Sequence, residues 1–175
     1  MVVGRLKNWN VVISGGATGA GGASSELFAK EGAQIAIVDI NEDAAQRTAE
    51  RIRQQGGRAF VTVADVSRAS DVEKAASQIL DTFNGRVDCL FNHAGTVIVT
   101  DFLDTDEADW DFMMNVNVKS MFLMTKAFLP VMLRAGKKSI VNTSSISAVA
   151  GTEKEVLYCT SKGACYMFTR AIAIE

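Results

Sequence analysis

The stretch NVVISGGATGAGG, residues 10–22, decides how the rest of the chain is read. Asn10–Ser14 encloses an unbroken run of branched aliphatics, Val11, Val12 and Ile13, of the kind carried by a strand buried on both faces. Gly15, Gly16, Gly19, Gly21 and Gly22 follow, and a helical pattern starts near Ala20. A buried strand that runs through a glycine turn into a helix is the opening unit of a parallel sheet, with the turn at the strand's carboxyl end.

The alternation continues outward from that unit. Val- and Ile-rich runs predict strands near 10–14 (NVVIS), 34–39 (QIAIVD), 58–64 (RAFVTVA), 87–92 (VDCLFN) and 138–143 (KSIVNT). Helical period predicts helices near 20–31, 41–55, 69–83, 106–135 in two pieces, and 157–174. In the third, Val72, Ala75, Ala76, Ile79, Leu80 and Phe83 recur at intervals of three and four, which makes a core-facing stripe and needs no functional explanation. Pro130, the chain's single proline, should kink its helix or mark its final stretch. With no linker, repeat or low-complexity segment, residues 1–175 are expected to form one domain. The expected fold class is α/β, a doubly wound parallel sheet in three layers, which binds ligands at the carboxyl ends of its strands where the strand order reverses.

Composition narrows the function. The chain is 48% hydrophobic and 22% charged with a net charge of -2, and its basic residues are scattered, which argues against a nucleic-acid partner. No apolar run approaches the ~20 residues that span a bilayer and MVVGRLKNWN does not read as a leader, so a cytoplasmic protein without a membrane partner is expected. Three cysteines, Cys89, Cys159 and Cys165, lack CxxC spacing, and the single histidine, His93, does not complete a zinc set with them. No metal is expected.

The glycine turn suits a dinucleotide. Glycines let the backbone approach a pyrophosphate, and a helix amino terminus offers it unpaired N–H groups and partial positive charge. Gly15, Thr18, Gly19, Ala20 and Gly21 are the candidates, in Gly-xxx-Gly-x-Gly spacing that is neither Gly-x-Gly-x-x-Gly nor a P-loop, so a plain glycine-rich turn stays open. Asp39, at the end of the second strand and followed by Ile40, stands where a carboxylate would accept from the adenosine ribose hydroxyls; capping the next helix is its structural alternative. Its charge would oppose a 2′-phosphate by on the order of 4 kcal/mol for unit charges ~4 Å apart at a dielectric of 20, about a thousandfold, which favours NAD over NADP. Asp65-Val66, after the third strand, suits the adenine amino group, with turn formation as the alternative. Asn92-His93-Ala94-Gly95 ends the fourth strand, where small residues leave room for a cofactor and the Asn92 amide would tie neighbouring backbone together.

SISAVAGTEKEVLYCTSK, residues 145–162, carries the chemistry. Tyr158 and Lys162 are four apart at the start of a helical pattern and share one face. A free phenol titrates near pH 10, and a close cation favours its anion. The order and spacing of Ser14-Gly15-xxx-Gly19-x-Gly21, Asp39, Asp65, Asn92-His93-Ala94-Gly95, Asn117 in NVNVKSMF, Ser145 in IVNTSSIS and Tyr158-Cys-Thr-Ser-Lys162 resemble the short-chain dehydrogenases/reductases over nearly the whole chain, including the thirteen-residue step from Ser145 to Tyr158. The resemblance implies a Rossmann-like NAD-dependent oxidoreductase acting on a secondary alcohol or ketone, assembled as a homodimer or homotetramer. It implies Tyr158 as general acid/base, Ser145 as hydrogen-bond donor to the substrate oxygen and Lys162 as partner of both Tyr158 and the nicotinamide ribose. It implies that Asn117 fixes a water that links Lys162 to solvent. Strand alternation sends Ser144 and Ser145 to opposite faces, and the thirteen-residue step of the resemblance picks Ser145. His93 stands where asparagine is common and reads as a structural variant, and Cys159 reads as a buried, inert thiol.

Two other functions share the scaffold: a catalytically silent NAD-binding regulatory protein, which has no need of Ser145, Tyr158 and Lys162, and an NADPH-dependent carbonyl or ketoacyl reductase, which conflicts with Asp39. Thr96, Val97, Ser147, Thr152 and Glu153 stand near the expected substrate cavity and mix apolar with polar character. Members of the family run on from a helix like 157–174 into two further strands and a substrate loop, so the sheet is expected to lack its last two strands, strand five to lie at an edge, and the 175 residues to be part of a longer protein.

Overall fold

A computed structural model describes residues 4–134 and 138–175. Five parallel strands, β1 (Asn10–Ser14), β2 (Gln34–Asp39), β3 (Arg58–Val63), β4 (Cys89–Asn92) and β5 (Ser139–Asn142), form one sheet in the order β3-β2-β1-β4-β5. The order reverses between β1 and β4, which places a crevice above their carboxyl ends.

Strand alternation builds the layers. Val11, Ile13, Ile35, Ile37 and Cys89 face α1 (Gly19–Lys30) and α2 (Glu42–Gln54), where Ala29, Ala45, Ala49 and Ile52 receive them. Val12, Ala36, Val38 and Leu90 face the other way, onto α3 (Ala69–Thr82) and α5 (Ser120–Met132), through Val72, Ile79, Met124, Phe128 and Met132. The expected stripe on 69–83 is that buried face. Local signals set the helix starts: Asn41 accepts from the Ala44 N–H at 3.0 Å, and Asp106 and Asp109 close a capping box on α4 (Glu107–Met114).

The segment expected at 106–135 is α4, a π-helical turn over Asn115–Lys119, and α5; the expected position 135 lies outside the described residues. Pro130 marks the final stretch of α5, which ends at Met132. The sixth helix, α6 (Val156–Ile172), packs on β5, on α4 and on the π turn. Short 3-10 turns at Phe102–Asp104 and Ile146–Ala148 fall where no element was expected. Strand β5 lies at the sheet edge as anticipated, with Val141 exposed. No described helix is long and apolar enough to cross a membrane, and the described residues hold no group of three or more potential metal ligands.

Candidate active site

The carboxyl ends of β1 to β4 enclose a cleft of about 730 Å³. Gly15, Thr18, Gly19, Ala20, Asp39, Ile40, Asp65, Val66, Ala94 and Gly95 line it, so ten of the residues singled out from sequence meet on one surface. Gly21 and Asn92 are buried, and at the Gly95 end of the lining stands the Lys162 ammonium, with the Tyr158 ring beside it.

The glycine turn is shaped by contact as well as by φ. Gly15 has φ +68° and lies so close to β4 that a methyl group there would stand 2.8 Å from the Ala94 Cα. Gly19 has φ +53° with open space where a side chain would go. Thr18 precedes α1 without a side-chain cap, and the first turn of α1 has no acidic residue, so its leading N–H groups are left to an anion in the cleft. The residues present therefore fit a dinucleotide pyrophosphate.

Asp39 is fixed from two sides: one carboxylate oxygen accepts from the Ala17 N–H at 3.1 Å, the other from the Asn41 N–H at 3.0 Å. The side chain that caps α2 is that of Asn41, and Asp39 fixes the Asn41 N–H just before it; a carboxylate offers about four acceptor positions, so these two bonds leave others free toward the cleft. Asp65 accepts from the Ser67 N–H at 3.0 Å and the Ser67 hydroxyl at 2.6 Å, and pairs with Arg68 at 3.3 Å. The Ser67 hydroxyl chiefly holds its carboxyl below the usual aspartate range.

At the end of β4 the Ser14 hydroxyl oxygen accepts from the N–H groups of both His93 and Ala94, at 3.1 and 3.3 Å. Asn92 differs from expectation. Its amide donates to the side chains of Thr125 on α5 and Asn142 on β5, at 3.2 and 2.8 Å, instead of tying backbone together, since both partners lie on the strand and helix flanking β4.

Lys162 is 4% exposed and donates to the Thr143 carbonyl at 3.0 Å, with its ammonium 5.6 Å from the centre of the Tyr158 ring. Burial pushes its pKa below the ordinary lysine value. Ser145 accepts from the Ser147 N–H at 3.1 Å, which uses its oxygen and leaves its proton to donate, whereas the Ser144 hydroxyl is spent on the Lys162 carbonyl at 3.0 Å. Asn117 lies buried in the π turn. Its amide is committed to the Thr96 N–H at 2.8 Å, the Thr96 carbonyl at 2.9 Å and the Ser161 hydroxyl at 2.9 Å, and its own carbonyl accepts from the Cys165 thiol at 3.2 Å. Asn117 and Lys162 converge on Gly95, where a side chain would meet them at 3.2 and 3.4 Å.

A cleft with a glycine turn on one side and a Tyr and Lys pair beside Gly95 on the other leads to one family. The model of the short chain dehydrogenases matches residues 9–175. The chain belongs to the short-chain dehydrogenase family. The protein named dehydrogenase/reductase SDR family member 6 from Aquarana catesbeiana is 40% identical over 176 residues, 99% of this chain and 67% of that protein. The cyclopentanol dehydrogenase of Comamonas testosteroni is 36% identical over 173 residues, 99% and 69% of the two chains. Among solved structures, a short chain dehydrogenase/reductase from Burkholderia phymatum in complex with NAD superposes with a TM-score of 0.92 at 29% identity over 96% of this chain and 60% of that one. A metagenomic short-chain oxidoreductase in complex with NADP gives 0.92 at 25% identity over 96% and 76%.

In this short-chain dehydrogenase the cleft also takes in His93, which the sequence showed only as a structural variant, and residues that sequence reasoning passed over: Arg68, and Phe112, Asn115 and Val116 from α4 and the π turn. Arg68 sits three residues past a predicted carboxylate, a legible signal; Phe112 reads as one more apolar helix position. Cys159, in the first turns of α6, is half-buried, not buried as expected, and its sulfur accepts from the Thr152 N–H at 3.4 Å, whereas Cys89 and Cys165 are buried. Of the residues expected near the substrate, Thr152 meets Ser147 at 3.1 Å, and Thr96 is held by Asn117.

Proposed function

We propose that this short-chain dehydrogenase interconverts a secondary alcohol and its ketone with NAD(H). The observation that carries the reading is the Lys162 ammonium, buried beside the Tyr158 ring and next to Gly95, where the dinucleotide cleft ends. Bound in that cleft, the nicotinamide would supply or accept the hydride.

The chain's own residues do the rest. Tyr158 gives its proton to the substrate oxygen in reduction and takes it back in oxidation. Ser145 donates to the same oxygen and orients it. Lys162 offsets the negative charge left on Tyr158 and keeps two donors for the nicotinamide ribose, since one of its three is used on Thr143. Asn117 serves the site by holding Thr96 and α6 around Lys162. Gly15, Thr18, Gly19, Ala20 and Gly21 receive the pyrophosphate, Asp39 and Ile40 the adenosine ribose, Asp65 and Val66 the adenine, and Asn92, Ala94 and Gly95 form the floor.

NAD is favoured over NADP by the Asp39 charge at the cleft wall; Arg68, the basic side chain in the described lining, is paired with Asp65. A single domain, assembled as a homo-oligomer, completes the reading, supported by the exposed Trp110, Phe122, Tyr166 and Met167 on α4, α5 and α6. Free cysteines support a reducing, cytoplasmic setting. A panel of secondary alcohols followed at NADH absorbance tests the activity. NADH formation with any of them is the expected result. Proven NAD binding with silence across the panel would favour a regulatory role, and faster turnover with NADP would overturn the cofactor assignment.

A further inference from the structure

His93 is the chain's single histidine and sits on the cleft wall next to the glycine turn. Its backbone is fixed to β1 through Ser14 at 3.1 Å. Its ring is confined between Phe91, with centroids 5.2 Å apart, and Gly21, where a methyl group would stand 2.7 Å from the His93 Cδ2. With the ring so confined, Nδ1 meets the Thr143 hydroxyl at 2.9 Å.

Thr143 is in turn held at three points. Its N–H donates to the Asn92 carbonyl at 3.0 Å, its hydroxyl meets His93, and its carbonyl accepts the Lys162 ammonium at 3.0 Å. Rotation of the residue is blocked at both ends, so the carbonyl points at Lys162 with little freedom. We infer that His93 is a positioning residue for Lys162: by clamping Thr143 it aims the carbonyl that holds the ammonium, and so couples the phosphate turn at Gly21 to the reacting centre.

The clamp survives protonation but changes its charge. Neutral His93 shares one proton with the Thr143 hydroxyl; a protonated ring donates through Nδ1 and becomes a second cation on the Thr143 side of Lys162. Burial first, and the Lys162 charge second, hold the ring below the ordinary histidine value. Phe91, Gly21 and Thr143, the other groups packed on the ring, do not titrate near neutrality, and among the described residues Lys162 is the charge that acts on it.

The inference rests on the reading of Lys162 as the cation of the reacting centre, and its test runs without turnover or bound dinucleotide. In the 15N-labelled chain the ring nitrogens of a single histidine are unambiguous. The expected spectrum shows one fixed neutral tautomer titrating below free histidine. Thr143→Val should release the ring to a tautomer mixture, and Lys162→Met should raise its midpoint. Acetic anhydride labelling of Lys162, read by mass spectrometry, should rise about tenfold in His93→Phe, as for loss of a contact coupled by ~1.4 kcal/mol, and fall back in His93→Gln. A wild-type ring that titrates as free histidine with mixed tautomers overturns the clamp, and labelling unchanged in His93→Phe overturns its action on Lys162. NADH fluorescence on the same samples keeps the outcomes apart: a fixed ring without NADH binding sinks the dehydrogenase reading and leaves the clamp, and NADH binding with a free ring does the reverse.

Discussion

The Lys162 ammonium lies 5.6 Å from the centre of the Tyr158 ring, and a single bond to the Thr143 carbonyl keeps it there. The i, i+4 spacing on α6 brings the two side chains together, and the end of β5 fixes the distance. Both side chains rise from α6, and the ammonium alone is held in addition by the residue that follows β5, which makes their contributions separable.

Tyr158→Phe keeps the ring beside Lys162 and removes only the hydroxyl. Turnover should fall by about 10² to 10⁴, the range for loss of a general acid/base, while NADH binding measured by fluorescence stays nearly intact. Retained turnover would count against the mechanism.

Lys162→Met tests the buried charge. Because burial holds the ammonium below the ordinary lysine value, the unfolded chain binds that proton more tightly than the folded one. Wild-type stability should therefore rise as pH climbs from the folded value toward about 10.4, the unfolded one. The methionine variant should lose that alkaline rise, melt no lower than wild type at pH 7, and lose turnover. Thermal melts across pH 7 to 10.5 in both chains check the sign.

Two glycines of the turn should separate folding from binding. Gly15→Ala places a left-handed alanine against the Ala94 backbone, which costs more than the ~1–2 kcal/mol of the φ strain alone and should lower the melting temperature sharply. Gly19→Ala meets open space, so the chain should fold with the φ penalty only, yet NADH affinity should drop because the methyl enters the cleft.

Asp39→Asn removes the charge and keeps only one of the two acceptor oxygens that the Ala17 and Asn41 N–H groups use. The NADP-to-NAD ratio of kcat/KM should move toward NADP by as much as about a thousandfold, the equivalent of ~4 kcal/mol. An unchanged ratio would assign the discrimination elsewhere on the wall, with Arg68 the next residue to vary.

Much of this architecture was legible in the sequence because its signals are local. The strands at 10–14 and 34–39 match to the residue, since a buried parallel strand is an unbroken aliphatic run bounded by polar or glycine positions. Ten of the cleft residues were legible because glycine and carboxylate at strand ends are chemically distinctive. What escaped depends on tertiary contact. Asn92 reaches Thr125 and Asn142, 33 and 50 positions away, and no local pattern announces such partners. The Asn117 amide is consumed by Thr96, 21 positions back, which a motif match does not reveal. His93 read as a bland substitution because its partner, Thr143, is also 50 positions away.

The π turn at Asn115–Lys119 carries one more residue per turn than the helices it joins. Such a bulge is an insertion absorbed in place, so deleting one residue there should let α4 run straight into α5 with Met124 and Phe128 still against the sheet. The scaffold would survive while Asn117 left its post beside Gly95. One residue in this turn therefore sets whether the helix holds an amide beside Gly95 or only covers the sheet.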